Sequence, residues 1–388
     1  MSILDIRQWN FPTRMVFGQG AIERLPHLCK SLGMMAPLLV TDEGLNDVEI
    51  TRNVLELVHG AGLKTKIFSG VKGNPTASNV EAGVEVFRQG GHDGVIAFGG
   101  GSGLDAAKTI AFMARQEMPI WEFEDGREGW KDAITDGLPP VIAIPTTAGT
   151  GSEVGRASVI SNEETKEKKI IFHPSMMPEV ALCDPEMTRG LPAPLTAATG
   201  FDAFVHCFEA YCAPGYHPMA DGIALEGMRL AKEFLPRAVK NGDDIEARAQ
   251  MMSVAAMGAT AFQKGLGGVH ALSHSIGSLH DTHHGLTNAI VMPYVVKANR
   301  AAIEEAVDLV ARVLNLKPAG YDGFFEWLLQ FRKAVGIPHE AAALGIDASD
   351  AAEMGARAIK DPTAEGNPVR LTAEQYAEIY VCACEGRL

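Results

Sequence analysis

Seven of the chain's twelve histidines fall between His206 and His284. Asp202 and His206 stand four residues apart on a helical pattern, so their side chains share one face and can grip one ion. His270 and His274 repeat that spacing, and GLGGVHALSHSIGSLHDTHHG then adds His280, His283 and His284. One carboxylate with three imidazoles suits a borderline divalent ion such as Fe(II) or Zn(II), and suits the oxygen-seeking Ca(II) and Mg(II) poorly. The chemistry open to such an ion is redox or Lewis-acid chemistry. Any one of these histidines alone reads as an ordinary core or surface residue, and Cys207 and Cys212 read as core. The constellation carries the weight.

A second group of residues suits a dinucleotide. GVIAFGGGSGLDAAK sets Gly99, Gly100 and Gly101 between a buried strand and the start of a helix. Glycines let a backbone approach a pyrophosphate closely, and the free N–H groups of a helix N-terminus attract its charge. A tight turn would select glycine as well. The spacing also departs from the six-residue dinucleotide fingerprint, because Asp105 stands where a third glycine would be, and no GxxxxGK[ST] loop is present. Further upstream, FGQG at 17–20 leads through a helical pattern into LLVTD, which ends in Asp42. An acid there is placed to take the ribose hydroxyls of NAD and to repel the 2′-phosphate of NADP. The alternative is a turn or helix-capping aspartate.

The elements that must position these residues change character along the chain. Short β-branched runs alternate with helical patterns through RMVFG, PLLVTDEG, KTKIFSG, GVIAFGGG and PPVIAIPTT. That rhythm predicts a mostly parallel, Rossmann-like α/β sheet. From about Gly190 the segments lengthen, take on helical periodicity and lose their strand signals. The expected division is an α/β dinucleotide-binding domain over 1–189 and an all-helical metal- and substrate-binding domain over 190–388. The boundary lies near LPAPLT, where Pro192 and Pro194 interrupt the pattern before Leu195 and Thr196 lead into a helix.

Bulk properties exclude several classes. A length of 388 residues favours two cores, and 46% hydrophobic with 21% charged residues is a globular balance. A formal charge of −14 argues against nucleic acid or an anionic membrane as partner. The six cysteines lack zinc-ribbon spacing and read as reduced thiols. No apolar run reaches the length of a membrane span or a signal peptide, so a cytoplasmic protein is expected.

Taken together, the motifs resemble those of the iron-containing (group III) alcohol dehydrogenase family along nearly the whole chain. FGQGAIERL resembles that family's opening, GGGSGLDAAK its GGGSxxDxxK phosphate loop, and PTTAGTGSEV its second cofactor-binding strand and loop. LCDPEMTRGLPAPLTAATGFDAFVHCFEAY and the histidine-rich stretch resemble its two metal-binding signatures. The resemblance implies Asp202, His206, His270 and His284 as metal ligands, with Fe(II) favoured and Zn(II) acceptable. It places His274 beside nicotinamide and substrate. It sets Gly100, Gly101, Ser102 and Asp105 along the pyrophosphate and nearby ribose. Thr146, Thr147 and Thr150 fall on the adenine and phosphate side, Lys168 at the nicotinamide ribose, and Asp42 as the acid that favours NAD over NADP. Gly103, Gly155, Ser275 and His283 depart from the family pattern without removing a ligand, and His284 is preferred to His283 because it stands 14 residues beyond His270.

The function so implied is hydride transfer between a small alcohol or aldehyde and NAD(H), in a homo-oligomer, by resemblance a dimer. Phe262 and Lys264, just before His270, are expected near the substrate. Lys264 would pair with an anionic substrate, or else is a solvated helix-end lysine. The rival readings are an NAD- and metal-using lyase or polyol dehydrogenase of the same fold, and a non-enzymatic metal-binding protein.

Overall fold

The computed structural model describes residues 13–388. By their contacts these divide into one unit of residues 13–147 with 151–190, and a second of 148–150 with 191–388.

The first unit is built on eight strands: β1 (Arg14–Phe17), β2 (Leu38–Asp42), β3 (Lys66–Val71), β4 (Val95–Gly99), β5 (Val141–Pro145), β6 (Ala157–Asn162), β7 (Glu167–Phe172) and β8 (Val180–Cys183). Six form a parallel sheet in the order β1-β8-β5-β4-β2-β3. Its helices are α1 (Leu25–Ser31), α2 (Glu49–Gly60), α3 (Ala77–Gln89) and α4 (Gly101–Met113). The central strands are apolar on both faces because both faces are covered. Val95, Ala97, Val141 and Ala143 pack with Leu104, Ala107 and Ile110 of α4 on one side. Ile96, Phe98, Ile142 and Ile144 pack with Leu25, Leu28, Val54 and Val58 of α1 and α2 on the other. Strand β3 lies on one side of β2 and β4 on the other, so the chain reverses direction across the sheet between β2 and β4. Crevices at the carboxyl ends of strands bordering such a reversal are where open α/β sheets take ligands.

Two features of this unit escape the strand-and-helix rhythm of the sequence. Strands β6 and β7 form an antiparallel hairpin from Ala157↔Phe172 to Asn162↔Glu167, and β8 closes the sheet between β1 and β5.

The second unit is all helical: α5 (Ala193–Cys212), α6 (Pro218–Lys240), α7 (Ile245–Ala261), α8 (Gly268–His280), α9 (His284–Val313), α10 (Tyr321–Ala334), α11 (Ala351–Ala358) and α12 (Ala373–Glu385). Pro194 does not delay α5 but lies in its first turn, where proline's missing N–H and fixed φ cost nothing. From Thr196 to Ala210 nearly every residue of α5 is buried, the mark of a helix surrounded by others; it packs on α6, α7 and α9. Gly285, at the start of α9, permits one of these approaches, since a Cβ there would come within 2.6 Å of the Ala198 carbonyl oxygen. No described helix is long and apolar enough to cross a membrane.

Candidate metal centre and dinucleotide site

Helix α5 presents Asp202 and His206 on one face, α8 presents His270, and α9 begins at His284. One donor atom from each of the four lies within 4.8 Å of all the others. Asp202 Oδ1 stands 3.9 Å from His206 Nε2, 3.9 Å from His270 Nε2 and 3.8 Å from His284 Nε2. Four donors about 2.1 Å from a tetrahedral ion stand roughly 3.4 Å apart, so the three distances to Asp202 need to contract by only about half an ångström. The Asp202 side chain is 2% exposed and that of His284 25%, which leaves His284 as the side of the cluster open to approach.

The chemistry of the set fits a cation. A buried carboxylate faces three imidazole nitrogens, and a site made of acceptors needs positive charge at its centre. Burial, then the neighbouring His206, push the His270 pKa well below its usual value, so that ring is neutral and keeps a lone pair for a ligand. His270 Nδ1 lies 2.6 Å from Glu209 Oε2; burial pushes the Glu209 pKa up to about 7 against hydrogen bonds from Val269 and Gly267, and to the ionised carboxylate, which can only accept, the ring donates. The asymmetry leaves Nε2 bare toward the cluster. Asn288, one turn after His284, donates from Nδ2 to Asp202 Oδ1 at 2.7 Å, with His284 Nε2 at 3.1 Å and His270 Nε2 at 3.2 Å.

Around these four sit residues of distinct character. The His274 ring stacks on His284 with centroids 5.2 Å apart, and its Nδ1 lies 2.9 Å from Asp361 Oδ2. Burial works to raise the Asp361 pKa, but the attraction of His274 and hydrogen bonds from His274 and Thr363 outweigh it and hold the carboxyl below its ordinary range. Phe262 meets the His206 ring edge-on at 5.3 Å. Lys264 is otherwise engaged: its ammonium lies 2.5 Å from Asp221 Oδ1 and donates to the Tyr211 carbonyl at 3.0 Å. His283 accepts from Leu286 N at 3.3 Å and caps α9, and His280 lies 3.3 Å from Asp350; neither joins the cluster. Glu209, Asn288 and Asp361 were not legible as site residues in the sequence. Glu209, three residues beyond His206, and Asn288, four beyond His284, share a helix with a ligand, which is the one trace that spacing offers.

In the α/β unit, the parallel register sets the carboxyl ends of β2, β4 and β5 side by side, with Asp42, Gly99 and Pro145 as their last residues. Gly99 takes φ +152°, a conformation L side chains rarely adopt, and its carbonyl accepts from Thr146 N at 2.9 Å. The first turn of α4 then opens at Gly100 with no side-chain cap and no acid, the kind of helix start whose N–H groups suit an anion. Asp42 overhangs this turn: a Cβ on Gly99 would lie 3.4 Å from its Oδ2. Burial raises its pKa against hydrogen bonds from Gly44 and Leu45. Thr147 flanks Gly100, and Ser102 Oγ donates to the Gly73 carbonyl.

Asp105, one turn further into α4, is held by two partners within the α/β unit. Its Oδ1 accepts from Ser152 Oγ at 2.5 Å and its Oδ2 from Val159 N at 2.9 Å. Beside it the buried Lys108 ammonium donates to the carbonyls of Ser152, Gly155 and Ala157 and lies 3.4 Å from Asp105 Oδ1. Lys168 sits on the hairpin opposite Ser161. Thr150 groups by contact with the helical unit.

Comparison with known proteins agrees with this arrangement. The family described as "Iron-containing alcohol dehydrogenase" matches residues 12–185, and its C-terminal counterpart matches 196–384. The chain is 38% identical to the 4-hydroxybutyrate dehydrogenase of Cupriavidus necator over 92% of its length and 94% of that protein. It is 35% identical to the NAD-dependent methanol dehydrogenase of Bacillus methanolicus, over 95% and 97%. The crystal structure of a 1,3-propanediol oxidoreductase superposes with a TM-score of 0.92 at 34% identity, covering 97% of this chain and 100% of that one.

Proposed function

The chain belongs to the iron-containing alcohol dehydrogenase family and is an oxidoreductase acting on CH–OH groups, and from that premise we propose that it passes a hydride between a small, uncharged primary alcohol or its aldehyde and NAD(H). Lyase and non-enzymatic readings fall away with the family match. The observation that carries the proposal is the convergence of Asp202, His206, His270 and His284 on one centre.

Those four residues would hold the divalent ion, Fe(II) in preference to Zn(II), either of which this donor set accepts. Once bound, the ion supplies Lewis acidity that lowers the pKa of an alcohol hydroxyl, and the nicotinamide supplies the hydride acceptor. The chain's own work is to bind, orient and exclude water. Gly100 and Gly101 would offer backbone N–H groups to the pyrophosphate, with Ser102 beside them, and Asp42 would take ribose hydroxyls and select NAD over NADP. Thr146, Thr147 and Thr150 would flank the adenine and phosphates, and Lys168 the nicotinamide ribose. Asp105 serves these groups indirectly, by bracing the loop that follows β5. Phe262 walls the ligand cluster with an apolar ring. His274, held at Nδ1 by Asp361, presents Nε2 as the atom that takes up or gives a proton. The preference for uncharged substrates rests on Asp221, which already neutralises Lys264.

A homodimer, by the family resemblance, is the proposed assembly. The test of function is a panel of small primary alcohols and aldehydes assayed with NAD(H) and NADP(H) after loading Fe(II) or Zn(II). Turnover with NAD(H) that depends on the metal supports the proposal, and turnover indifferent to chelation opposes it.

A further inference from the structure

Helix α8 opens with three consecutive backbone N–H groups, and each is taken by a side chain from elsewhere in the fold. Glu209 accepts from Gly267 N at 3.0 Å and from Val269 N at 2.7 Å. Asn367 Oδ1 accepts from Gly268 N at 3.0 Å. Asn367 is itself fixed by a reciprocal pair of hydrogen bonds with Asn299, at 2.8 and 2.9 Å, and by donation to the Val369 carbonyl. The next residue of the helix is His270, and its Nδ1–H goes to the same Glu209 carboxylate at 2.6 Å. One buried side chain on α5, the helix that bears Asp202 and His206, thus receives three hydrogen bonds from the first turn of α8.

We propose that Glu209 is the positioning residue of the metal centre, tying the ligand on α8 to those on α5 and fixing His270 in the tautomer whose Nε2 faces them. The inference rests on the metal-centre reading above. A neutral imidazole has one donor and one acceptor nitrogen, so a ring that donates from Nδ1 must present its lone pair at Nε2. The Asn288 amide, 3.2 Å from that Nε2, agrees with this orientation, since an N–H there needs an acceptor. Glutamine in place of Glu209 keeps the shape, but one end of its amide donates, and three donors can no longer all find acceptors. Carboxylate partners of metal-bound histidines act in this way generally: they set ring orientation and raise ligand basicity.

The test uses the whole chain freed of metal, with Co(II) titrated against a chromophoric chelator and NADH binding followed by fluorescence. Glu209→Gln is expected to weaken Co(II) by about 10- to 100-fold and to leave NADH affinity unchanged. Asn367→Ala removes a capping acceptor without touching His270, and its Co(II) affinity is expected to stay near that of the unaltered chain. Undiminished Co(II) affinity in Glu209→Gln, or equal losses in both variants, would overturn the proposal in favour of a helix cap alone. Failure of the unaltered chain to bind Co(II) would instead overturn the metal-centre reading and this proposal with it. If Glu209→Gln does not fold, the ring nitrogen-15 shifts of His270 in the unaltered chain decide: a proton on Nδ1 before and after Zn(II) addition is expected, and a proton on Nε2 contradicts the proposal.

Discussion

Asp361 and His274 are 87 residues apart in the chain and joined by a 2.9 Å hydrogen bond from the ring's Nδ1 to the carboxylate's Oδ2. The same carboxylate accepts from Thr363 through both its backbone N–H and its hydroxyl, so it is fixed before it fixes the histidine. Asp361→Asn keeps the shape and removes the charge. We expect kcat/KM to fall by about 10- to 100-fold, part of the roughly 100- to 10,000-fold that a positioned acid–base group contributes, with metal content unchanged. Loss of metal along with activity would place Asp361 in the metal centre instead.

The same pair gives a pH dependence of stability. The folded pKa of Asp361 lies below its ordinary value, so the native state favours the ionised form. The resulting stability is present above the unfolded pKa of about 4 and is lost as pH falls through the depressed folded value. Chemical denaturation should show a gap of about 1 to 3 kcal/mol between the original chain and Asp361→Asn near pH 7. That gap should close as the solution is acidified; a gap that widens toward low pH would contradict the assignment.

Asp42 overhangs the strand-to-helix turn at Gly99 from the neighbouring strand end. Asp42→Gly should relax the preference for NAD, because it removes the charge that repels a 2′-phosphate. The ratio of kcat/KM for NAD over NADP should fall by about tenfold or more, equivalent to about 1.4 kcal/mol. An unchanged ratio would move the discriminating residue elsewhere.

Lys108 is buried and holds three carbonyls of the segment after β5. Burial depresses its pKa, but Asp105 counters that and keeps the pair together. Lys108→Met takes the ammonium from those carbonyls and leaves the Asp105 charge without its cation, which costs about 3 to 5 kcal/mol. The expected signature is weaker NADH binding with Co(II) affinity preserved, since the damage lies in the α/β unit. Weakened metal binding with NADH affinity intact would refute this placement.

Lys264 was open to two readings in the sequence, and its 2.5 Å contact with Asp221 favours a structural one. Lys264→Met should change KM for an anionic substrate such as a hydroxycarboxylate and for a neutral alcohol by the same factor. A selective rise for the anion would show that Asp221 releases the lysine during turnover.

The parallel sheet and the helical half were legible because hydrophobic runs and helical periodicity are local signals. The 157–172 hairpin was less so, because its edge residues are only half buried and do not form an apolar run. Asp202 and His206 could be paired from spacing alone, since one helix fixes both. The 14-residue gap from His270 points to His284 rather than His283, and its physical basis is where α9 starts: there His283 caps the helix while His284 joins the cluster. Glu209 and Asn288 act across 61 and 86 residues of chain, and such pairings arise only when helices pack. Motif resemblance assigns Asp105 to the cofactor, while its bonds to Ser152 and Val159 span 47 and 54 residues of chain and leave no local signal in the sequence.

The most direct measurement is an anomalous-scattering map from crystals of the whole chain loaded with Fe(II) or Zn(II), recorded on both sides of the metal's absorption edge. One peak is expected, bonded to Asp202 and to the Nε2 atoms of His206, His270 and His284 at about 2.0 to 2.2 Å. A peak at any other group of residues, or none at full metal loading, would contradict the account.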